Sequence, residues 1–187
     1  MNPLLAKLYH SHGIRKDSDV ELDFAERREL CSDVARLIEG ADRMVDREMA
    51  TEILLALLKR ADKELRQVVA ERFATIDHAP LRLVLQFVND EIEVARPILK
   101  YSKALNDLDL LYIIQSRDSP FWQAIATREE LGENVVEALV ETSDIDTAAV
   151  LIRNDKAPLN EEVLHKVVRL IGDDAVLSSI LIGRADM

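Results

Sequence analysis

The sequence predicts an all-α fold in which short antiparallel helix pairs stack into a solenoid, and three observations lead to it. A Leu-[Asn/Gly]-[Asp/Glu] motif begins at Leu105, Leu131 and Leu159, at intervals of 26 and 28 residues. Apolar residues make up 48% of the chain and aromatic residues only 4%, which is typical of helices packed through aliphatic side chains. Five glycines and five prolines are too few for the many turns of a β-sandwich or barrel.

Apolar residues follow each motif at the same four offsets, namely four, five, eight and nine residues beyond its leucine. The twelve positions, of which only the first is polar, are Asp109, Leu110, Ile113 and Ile114; Val135, Val136, Leu139 and Val140; and Val163, Leu164, Val167 and Val168. This spacing places them on one face of a helix. A pair of such short helices cannot bury that face alone, so neighbouring pairs are expected to stack.

The N-terminal sequence predicts a loose arm over residues 1–18. Residues 19–187 are predicted to form a single helical-repeat domain, which begins with two or three longer helices. The first helix is predicted from Asp19 to Glu39, before Gly40. Asp46 is predicted to cap a second helix that ends near Arg60. Asp62 is predicted to cap a third.

Regular repeats are predicted from about residue 80. Pro80 suits the first turn of a helix over Leu81–Val88. The next segment, Glu91–Tyr101, contains Pro97, so we expect that helix to be kinked there or to begin close to Arg96. Six further short helices make three pairs: Asp107–Gln115 with Pro120–Thr127, Glu133–Glu141 with Asp146–Arg153, and Asn160–Ile171 with Asp174–Ile182.

The segment from Asn89 to Leu99, with the sequence Asn-Asp-Glu-Ile-Glu-Val-Ala-Arg-Pro-Ile-Leu, and the three Leu-[Asn/Gly]-[Asp/Glu] motifs resemble an uncharacterised bacterial family, domain of unknown function 2336, with HEAT-like helical repeats. The resemblance covers roughly Phe73 to Ile171. It implies a right-handed, all-helical stack. It brings no established activity and no catalytic residues.

Charge is unevenly distributed along the chain, whose net charge is −11. From Lys103 to Ile152, ten acids stand against three bases, a balance of −7. Such a surface repels nucleic acid and favours a basic protein partner. The interpretation is therefore a non-enzymatic scaffold for protein binding. The candidate contacts are Asp107, Asp109, Asp118, Phe121, Trp122, Glu133, Glu137, Glu141, Asp144 and Asp146.

Two other functions remain open at this point. The last predicted helix, Asp174–Ile182, is followed by no obvious polar cap. This predicts either that the chain is a fragment of a longer array or that it forms a homo-oligomer through this helix. HEAT-like folds also include base-excision enzymes, but these need a basic groove with aromatic side chains, whereas Trp122 lies in an acidic segment. Nucleic-acid binding is the weaker alternative. The basic residues of the first helices are interleaved with acids three or four residues away, which predicts neutralisation along helix faces.

No residue pattern predicts a cofactor, a metal or a catalytic residue. His10 and His12 form a His-x-His pair, but a structural metal site needs about four ligands. Cys31, the only cysteine, is predicted to be a core residue in a reducing compartment. The acid pairs Glu129-Glu130, Glu161-Glu162 and Asp173-Asp174 stand at predicted helix starts or loops, where capping explains them. Without a signal peptide pattern or a long apolar stretch, a cytoplasmic protein with no membrane contact is expected.

Overall fold

The computed structural model describes residues 24–41 and 43–184, and this part of the chain is all-helical. It contains eleven α-helices and no strand. The helices are α1 (Phe24–Glu39), α2 (Met44–Leu58), α3 (Lys63–Ala74), α4 (Leu81–Val88), α5 (Ile92–Tyr101), α6 (Asp107–Ser116), α7 (Ser119–Ala126), α8 (Glu133–Glu141), α9 (Ile145–Arg153), α10 (Glu161–Ile171) and α11 (Ala175–Ile182).

The predicted helix boundaries from Asp62 onward are confirmed to within about one residue, and the ranges for α4 and α8 match fully. One predicted cap is wrong: α2 begins at Met44 with Arg43 in the N-cap position, so Asp46 lies inside the first turn, and the helix ends at Leu58. Asp62 is confirmed as the cap of α3, because its side chain accepts a hydrogen bond from the Leu65 amide. The predicted arm over residues 1–18 and the predicted helix start at Asp19 lie outside the described residues.

Helix α5 runs through Pro97 without interruption from Ile92 to Tyr101. The alternative that this helix begins close to Arg96 is therefore wrong. Pro97 has no N–H to donate, so one backbone hydrogen bond of the helix is missing at its sixth residue. The surrounding apolar residues explain why the helix tolerates this, because Val94, Ala95, Ile98 and Leu99 are completely buried.

The contacts divide the chain into two compact units. The first comprises the residues up to Ile98 together with Ser102–Ala104, and the second comprises Leu99–Tyr101 and the residues from Leu105 onward. The prediction of one domain over residues 19–187 stays a prediction.

In the first unit, α1 packs against α2 and α3, and α4 packs against α2 and α3. The largest fully buried side chains here belong to Ile38, Leu54, Phe73, Leu83, Phe87 and Ile98. Ion pairs join the helices across this unit. Arg66 binds both carboxylate oxygens of Asp90, at 2.6 and 3.0 Å, and Arg72 binds Glu39 in the same two-pronged way. Most ion pairs among the described residues of this unit thus join different helices or a helix and a loop, whereas the sequence predicted neutralisation along helix faces.

In the second unit the helices contact one another in two rows. The first helices of the three pairs, α6, α8 and α10, touch in succession, and so do the second helices, α7, α9 and α11. The repeated apolar positions are the reason. Nine of the twelve are buried, namely Leu110, Ile113, Ile114, Val135, Val136, Leu139, Val140, Val163 and Val167.

Hydrogen bonds from one pair to the preceding pair connect the ends of the second helices. Arg128, just after α7, donates to the Leu99 carbonyl near the end of α5 at 2.7 Å. Asn154, just after α9, donates to the carbonyls of Ala126 and Arg128 at 2.8 and 2.7 Å. Arg184, just after α11, donates to the carbonyls of Leu151, Asn154 and Ala157. Carbonyls at a helix end lack intrahelical donors, so each pair supplies donors that its predecessor lacks.

Across the described ranges, no helix combines the length and the apolar character that crossing a membrane requires.

Candidate partner-binding surface

The predicted contact residues of the second unit lie at helix starts and on one helix face, and the structure separates them into groups. One group lies around the starts of α6 and α8. Another lies around the starts of α7 and α9, and a third follows the length of α8. Each group has its own contacts, which decide whether its acids are available to a partner.

Asp107 and Glu133 occupy the first turns of α6 and α8 and are both exposed. They are close in space, because a Cβ built on Gly132 would stand 2.0 Å from Asp107 Oδ2. Glu129 and Glu130, in the loop before Gly132, are also exposed. Four acids therefore gather at this end of the unit.

A single buried cation lies beneath these acids. Arg128 is 7% exposed, and burial lowers the pKa of its guanidinium, although the charges of Glu130 and Asp107 oppose that effect. Glu130 and Asp107 thus stabilise a buried charge that also donates to the Leu99 carbonyl. The four acids at these helix starts outnumber this one cation. We call Asp107, Glu129, Glu130 and Glu133 the α6/α8 acidic cluster.

Gly132 explains why the second motif differs from the other two. Asn106 and Asn160 cap α6 and α10 by accepting hydrogen bonds from Asp109 and Val163 amides. At Gly132 no side chain caps α8, because the space that a side chain would fill holds the Asp107 carboxylate. Because Gly132 has no side chain, α8 lacks a side-chain cap, and the Asp107 carboxylate occupies the free space.

Asp109 is a structural residue within α6. It completes a capping box, in which its carboxylate accepts a hydrogen bond from the Asn106 amide at 3.0 Å while Asn106 caps the Asp109 amide. Such a reciprocal pair satisfies two amides that the helix start leaves open. Its carboxylate is therefore committed to the helix.

Asp144 is also structural. Its carboxylate accepts hydrogen bonds from the Thr147 amide and hydroxyl and from the Ser119 hydroxyl, at 2.8, 2.6 and 2.9 Å. Burial alone would raise the pKa of Asp144, but these hydrogen bonds outweigh it and hold the pKa below its ordinary value. The bond from Ser119 also joins the start of α7 to the start of α9. Asp118 and Asp146, which flank this network, are exposed.

Glu137 and Glu141 on α8 are partly neutralised by Lys166 on α10. The ammonium group lies 2.9 Å from Glu137, 3.4 Å from Glu141 and 3.3 Å from Glu162. The hydrogen bond to Glu137 is the main reason that the pKa of Lys166 is raised, so this lysine stays charged throughout the physiological range. This ion network ties two neighbouring helices together and removes charge from the surface.

The two aromatic residues of α7 have different environments. Phe121 is 6% exposed and belongs to the core, with the Arg117 guanidinium 4.8 Å from its ring centre. Trp122 is half-buried, and its indole N–H donates to the Ile114 carbonyl at 2.9 Å. Phe121 therefore has no accessible ring for a partner, and Trp122 presents only part of one.

An exposed apolar pair on α6 was not identified from the sequence. Leu108 and Tyr112 are 77% and 71% exposed and stand one turn apart. A comparison of equivalent positions in the three repeats could have identified them. At the corresponding offsets, three and seven residues beyond the motif leucine, α8 has Asn134 and Ala138, and α10 has Glu162 and Lys166.

Potential chemistry is sparse in the part of the chain that the structure describes. Cys31 is confirmed as a core residue, and burial raises the pKa of its thiol to about 11 against the opposing charge of Arg27. A neutral, buried thiol is a poor nucleophile. No cluster of three or more histidines, cysteines and acids that could hold a metal ion occurs among these residues, and His10 and His12 lie outside them.

A family model described as an uncharacterised protein conserved in bacteria, DUF2336, matches residues 94–187, which is half of the chain. The chain belongs to this family. The resemblance to this family is thereby confirmed, although the match extends further toward the C-terminus than the predicted span, Phe73 to Ile171, and leaves out its first part, Phe73–Glu93. The DUF2336 region covers the second unit, including the α6/α8 acidic cluster, and the last residues of the first unit. No curated protein and no solved structure matches the chain.

Proposed function

We propose that this DUF2336 protein is a non-enzymatic scaffold that binds a basic segment of a partner protein at the start of α6 and α8. The observation that carries the proposal is the α6/α8 acidic cluster, in which four acids are exposed and two of them, Asp107 and Glu130, act on the buried Arg128. Surface acids that are not compensated attract a basic partner and steer its approach. The stretch from Lys103 to Ile152, with its balance of −7, extends that field.

The exposed apolar pair, Leu108 and Tyr112, indicates which kind of partner segment would bind. Leu108 directly follows Asp107 on α6, and Tyr112 lies one turn further along the helix. Basic residues would meet the acids, while apolar residues would cover Leu108 and Tyr112. A short amphipathic segment that carries both types of residue fits this surface best.

The scaffold we propose is a right-handed solenoid with HEAT-like repeats. The contacts that support it are the two rows α6, α8, α10 and α7, α9, α11, together with the hydrogen bonds from Arg128, Asn154 and Arg184 to the preceding pairs. Solenoids offer extended surfaces made from equivalent positions of successive units. A peptide that follows the helix starts could therefore contact two units at once.

Nucleic-acid binding, including base excision, is the less favoured function. Affinity for a phosphate backbone requires lysines and arginines that displace counterions. In the first unit, Arg66 and Arg72 are bound to acids of neighbouring helices, and Lys63 lies 3.2 and 2.8 Å from Glu91 and Glu93. The second unit is acidic. These contacts neutralise part of the basic surface of the first unit.

Affinity capture of the intact protein from its own cells tests the proposal, with a charge-reversed variant as the comparison. The triple variant Asp107→Lys, Glu130→Lys, Glu133→Lys should lose the partner that the unchanged protein retains. A matched control reverses Asp118 and Asp146, two exposed acids at the starts of α7 and α9. The control should retain the partner.

A second variant tests the apolar contact separately from the contact with the acids. Replacing Leu108 and Tyr112 by serine should weaken the same partner without changing the thermal unfolding temperature, because both side chains are more than two-thirds exposed. Full retention of the partner by both the triple variant and the serine variant would exclude this surface as the binding site.

A further inference from the structure

The last described helix pair exposes apolar side chains at positions that are buried in the preceding pairs. In the row α6, α8, α10, the residue nine positions beyond the motif leucine is Ile114, Val140 and Val168, with exposures of 5%, 4% and 53%. In the row α7, α9, α11, the residue eight positions beyond the N-cap is Ala126, Ile152 and Ile182, with exposures of 0%, 0% and 78%. No described residue therefore covers this side of α10 and α11.

The contact between α8 and α10 shows which positions meet where one helix follows another in this row. Glu137 and Glu141 lie six and ten positions beyond the motif leucine of α8, and the Lys166 ammonium lies 2.9 and 3.4 Å from them. Lys166 itself lies seven positions beyond the motif leucine of α10. A helix that packed on α10 in the same way would place its residue at the seventh offset between the residues of α10 at the sixth and tenth offsets.

At these two offsets α10 carries basic residues, where α8 carries acids. The residues are His165 and Arg169, and both are exposed. The His165 ring lies 3.8 Å from Glu161 of its own helix. Arg169 has no ion-pair partner in the part of the chain that the structure describes. The open side thus joins apolar residues to an uncompensated positive charge, although the chain has a net charge of −11.

We propose that this face, formed by Leu164, His165, Val168, Arg169 and Ile182, binds an acidic amphipathic helix of another protein. Apolar residues of that helix would cover Leu164, Val168 and Ile182. An acid in the place that Lys166 takes on α8 would lie between His165 and Arg169. The contact repeats the packing of α10 on α8 with the two charges exchanged. The apolar residues supply the binding surface and the charges fix the register of the helix.

A second copy of the chain does not supply this chemistry. Its own α10 and α11 carry the same two basic residues, and so offer no acid to this face. The exposed side of α6, at the other end of the row, has Tyr112 at the seventh offset. The proposed face also differs from the α6/α8 acidic cluster, for which a basic segment is the proposed partner. The inference therefore adds a second binding surface to the proposed function.

Two synthetic peptides test the face. Both have the sequence of residues 159–172, which supplies the apolar residues of a first helix, and both carry a staple on the side away from the contact, because so short a helix is marginal in water. One peptide has the replacement Lys166→Glu, and the other keeps the lysine. Calorimetric titration into the full chain should show that the acidic peptide binds at least about tenfold more tightly than the lysine peptide.

A charge exchange in the protein tests the register. The full-chain variant Arg169→Glu restores an acid at the offset where α8 has Glu141, so it should bind the lysine peptide more tightly than the acidic one. Arg153→Glu is the matched control, because it changes the net charge equally at an exposed residue of α9, outside the face. This control should keep the preference of the unchanged protein. Circular dichroism should show the same helix content in all three proteins.

Three results would overturn the proposal. The first is equal binding, or no binding, of the two peptides to the unchanged protein. The second is a preference for the acidic peptide that persists in Arg169→Glu. The third comes from analytical ultracentrifugation of the full chain without peptide: self-association that Arg169→Glu abolishes and Arg153→Glu does not would assign the face to a second copy.

Discussion

Four acids of the second unit serve the fold as well as the surface charge. Asp109 completes the capping box of α6, and Asp144 caps α9 while it holds Ser119. Glu137 and Glu141 share the Lys166 ammonium with Glu162. Reversing their charge would therefore disturb stability and binding together. The tests of the surface use the exposed acids Asp107, Glu130 and Glu133. Because the charges of Asp107 and Glu130 also act on the buried Arg128, the thermal unfolding of the triple variant has to be measured beside its binding.

Asp144→Ala should destabilise the protein by about 1 kcal/mol at neutral pH, because it removes an N-cap and the bond to Ser119. The effect should depend on pH. The pKa of Asp144 is lower in the folded protein than its value of about 3.9 in an unfolded chain. Its stabilising contribution is therefore complete above about pH 3.9 and is lost as the pH falls through the folded pKa. Urea unfolding at several pH values measures this.

The control for this prediction is Asp146→Ala, two residues away on the same helix. Asp146 is exposed, so its removal should change the unfolding free energy by less than about 0.5 kcal/mol. If both variants lose the same stability, or if the loss in Asp144→Ala is unchanged in acid, the capping role of Asp144 is excluded.

At the scale of helices, the sequence predicted where most elements begin and end, because the information is local. Caps such as Asp62 and the repeated apolar offsets depend on residues within two turns of one another. The bonds that join successive pairs could not be predicted in this way. Arg128, Asn154 and Arg184 reach carbonyls 26 to 33 residues away, and no local pattern shows which carbonyl lies within reach.

The candidate surface was predicted with mixed success for the same reason. Composition located the acidic stretch, but burial decides which of its residues a partner can touch. Phe121 and Trp122 look alike in the sequence, yet one is in the core and the other donates a hydrogen bond from a half-buried position. Leu108 and Tyr112 could have been found by comparing the three repeats position by position, since only α6 has large apolar residues there.

Asn154→Asp should destabilise the protein by roughly 1–3 kcal/mol, because it removes the donor of two hydrogen bonds to the ends of α7 and leaves their carbonyls without it. The change preserves size and keeps the oxygen that accepts from the Lys156 amide. Guanidinium unfolding followed by Trp122 fluorescence measures the loss. Asn89→Asp is the control: Asn89 donates to Leu85 within its own exposed helix end, and its replacement should cost less.

At the scale of the whole molecule, the net charge of −11 makes the proposed contact with a basic partner sensitive to salt. Binding of a basic segment to the α6/α8 acidic cluster relies on attraction between exposed charges, which salt screens. This contact should therefore weaken as salt is added.

Raising sodium chloride from about 0.05 to about 0.5 M shortens the screening length from roughly 14 to roughly 4 Å. The partner should be released from the immobilised protein over this range. Retention of the partner at the higher salt concentration would show that exposed charges do not hold the contact.

The hydrogen bonds from Arg128, Asn154 and Arg184 to the preceding pair also bear on how the length of such an array could change by gene duplication. Copying a helix pair is structurally acceptable only if the copied segment brings along the polar residue just after its second helix. A breakpoint placed before that residue would give the new pair no donor for its predecessor. For protein engineers, the loops after α7 and α9 are therefore the natural junctions at which to insert or remove a pair.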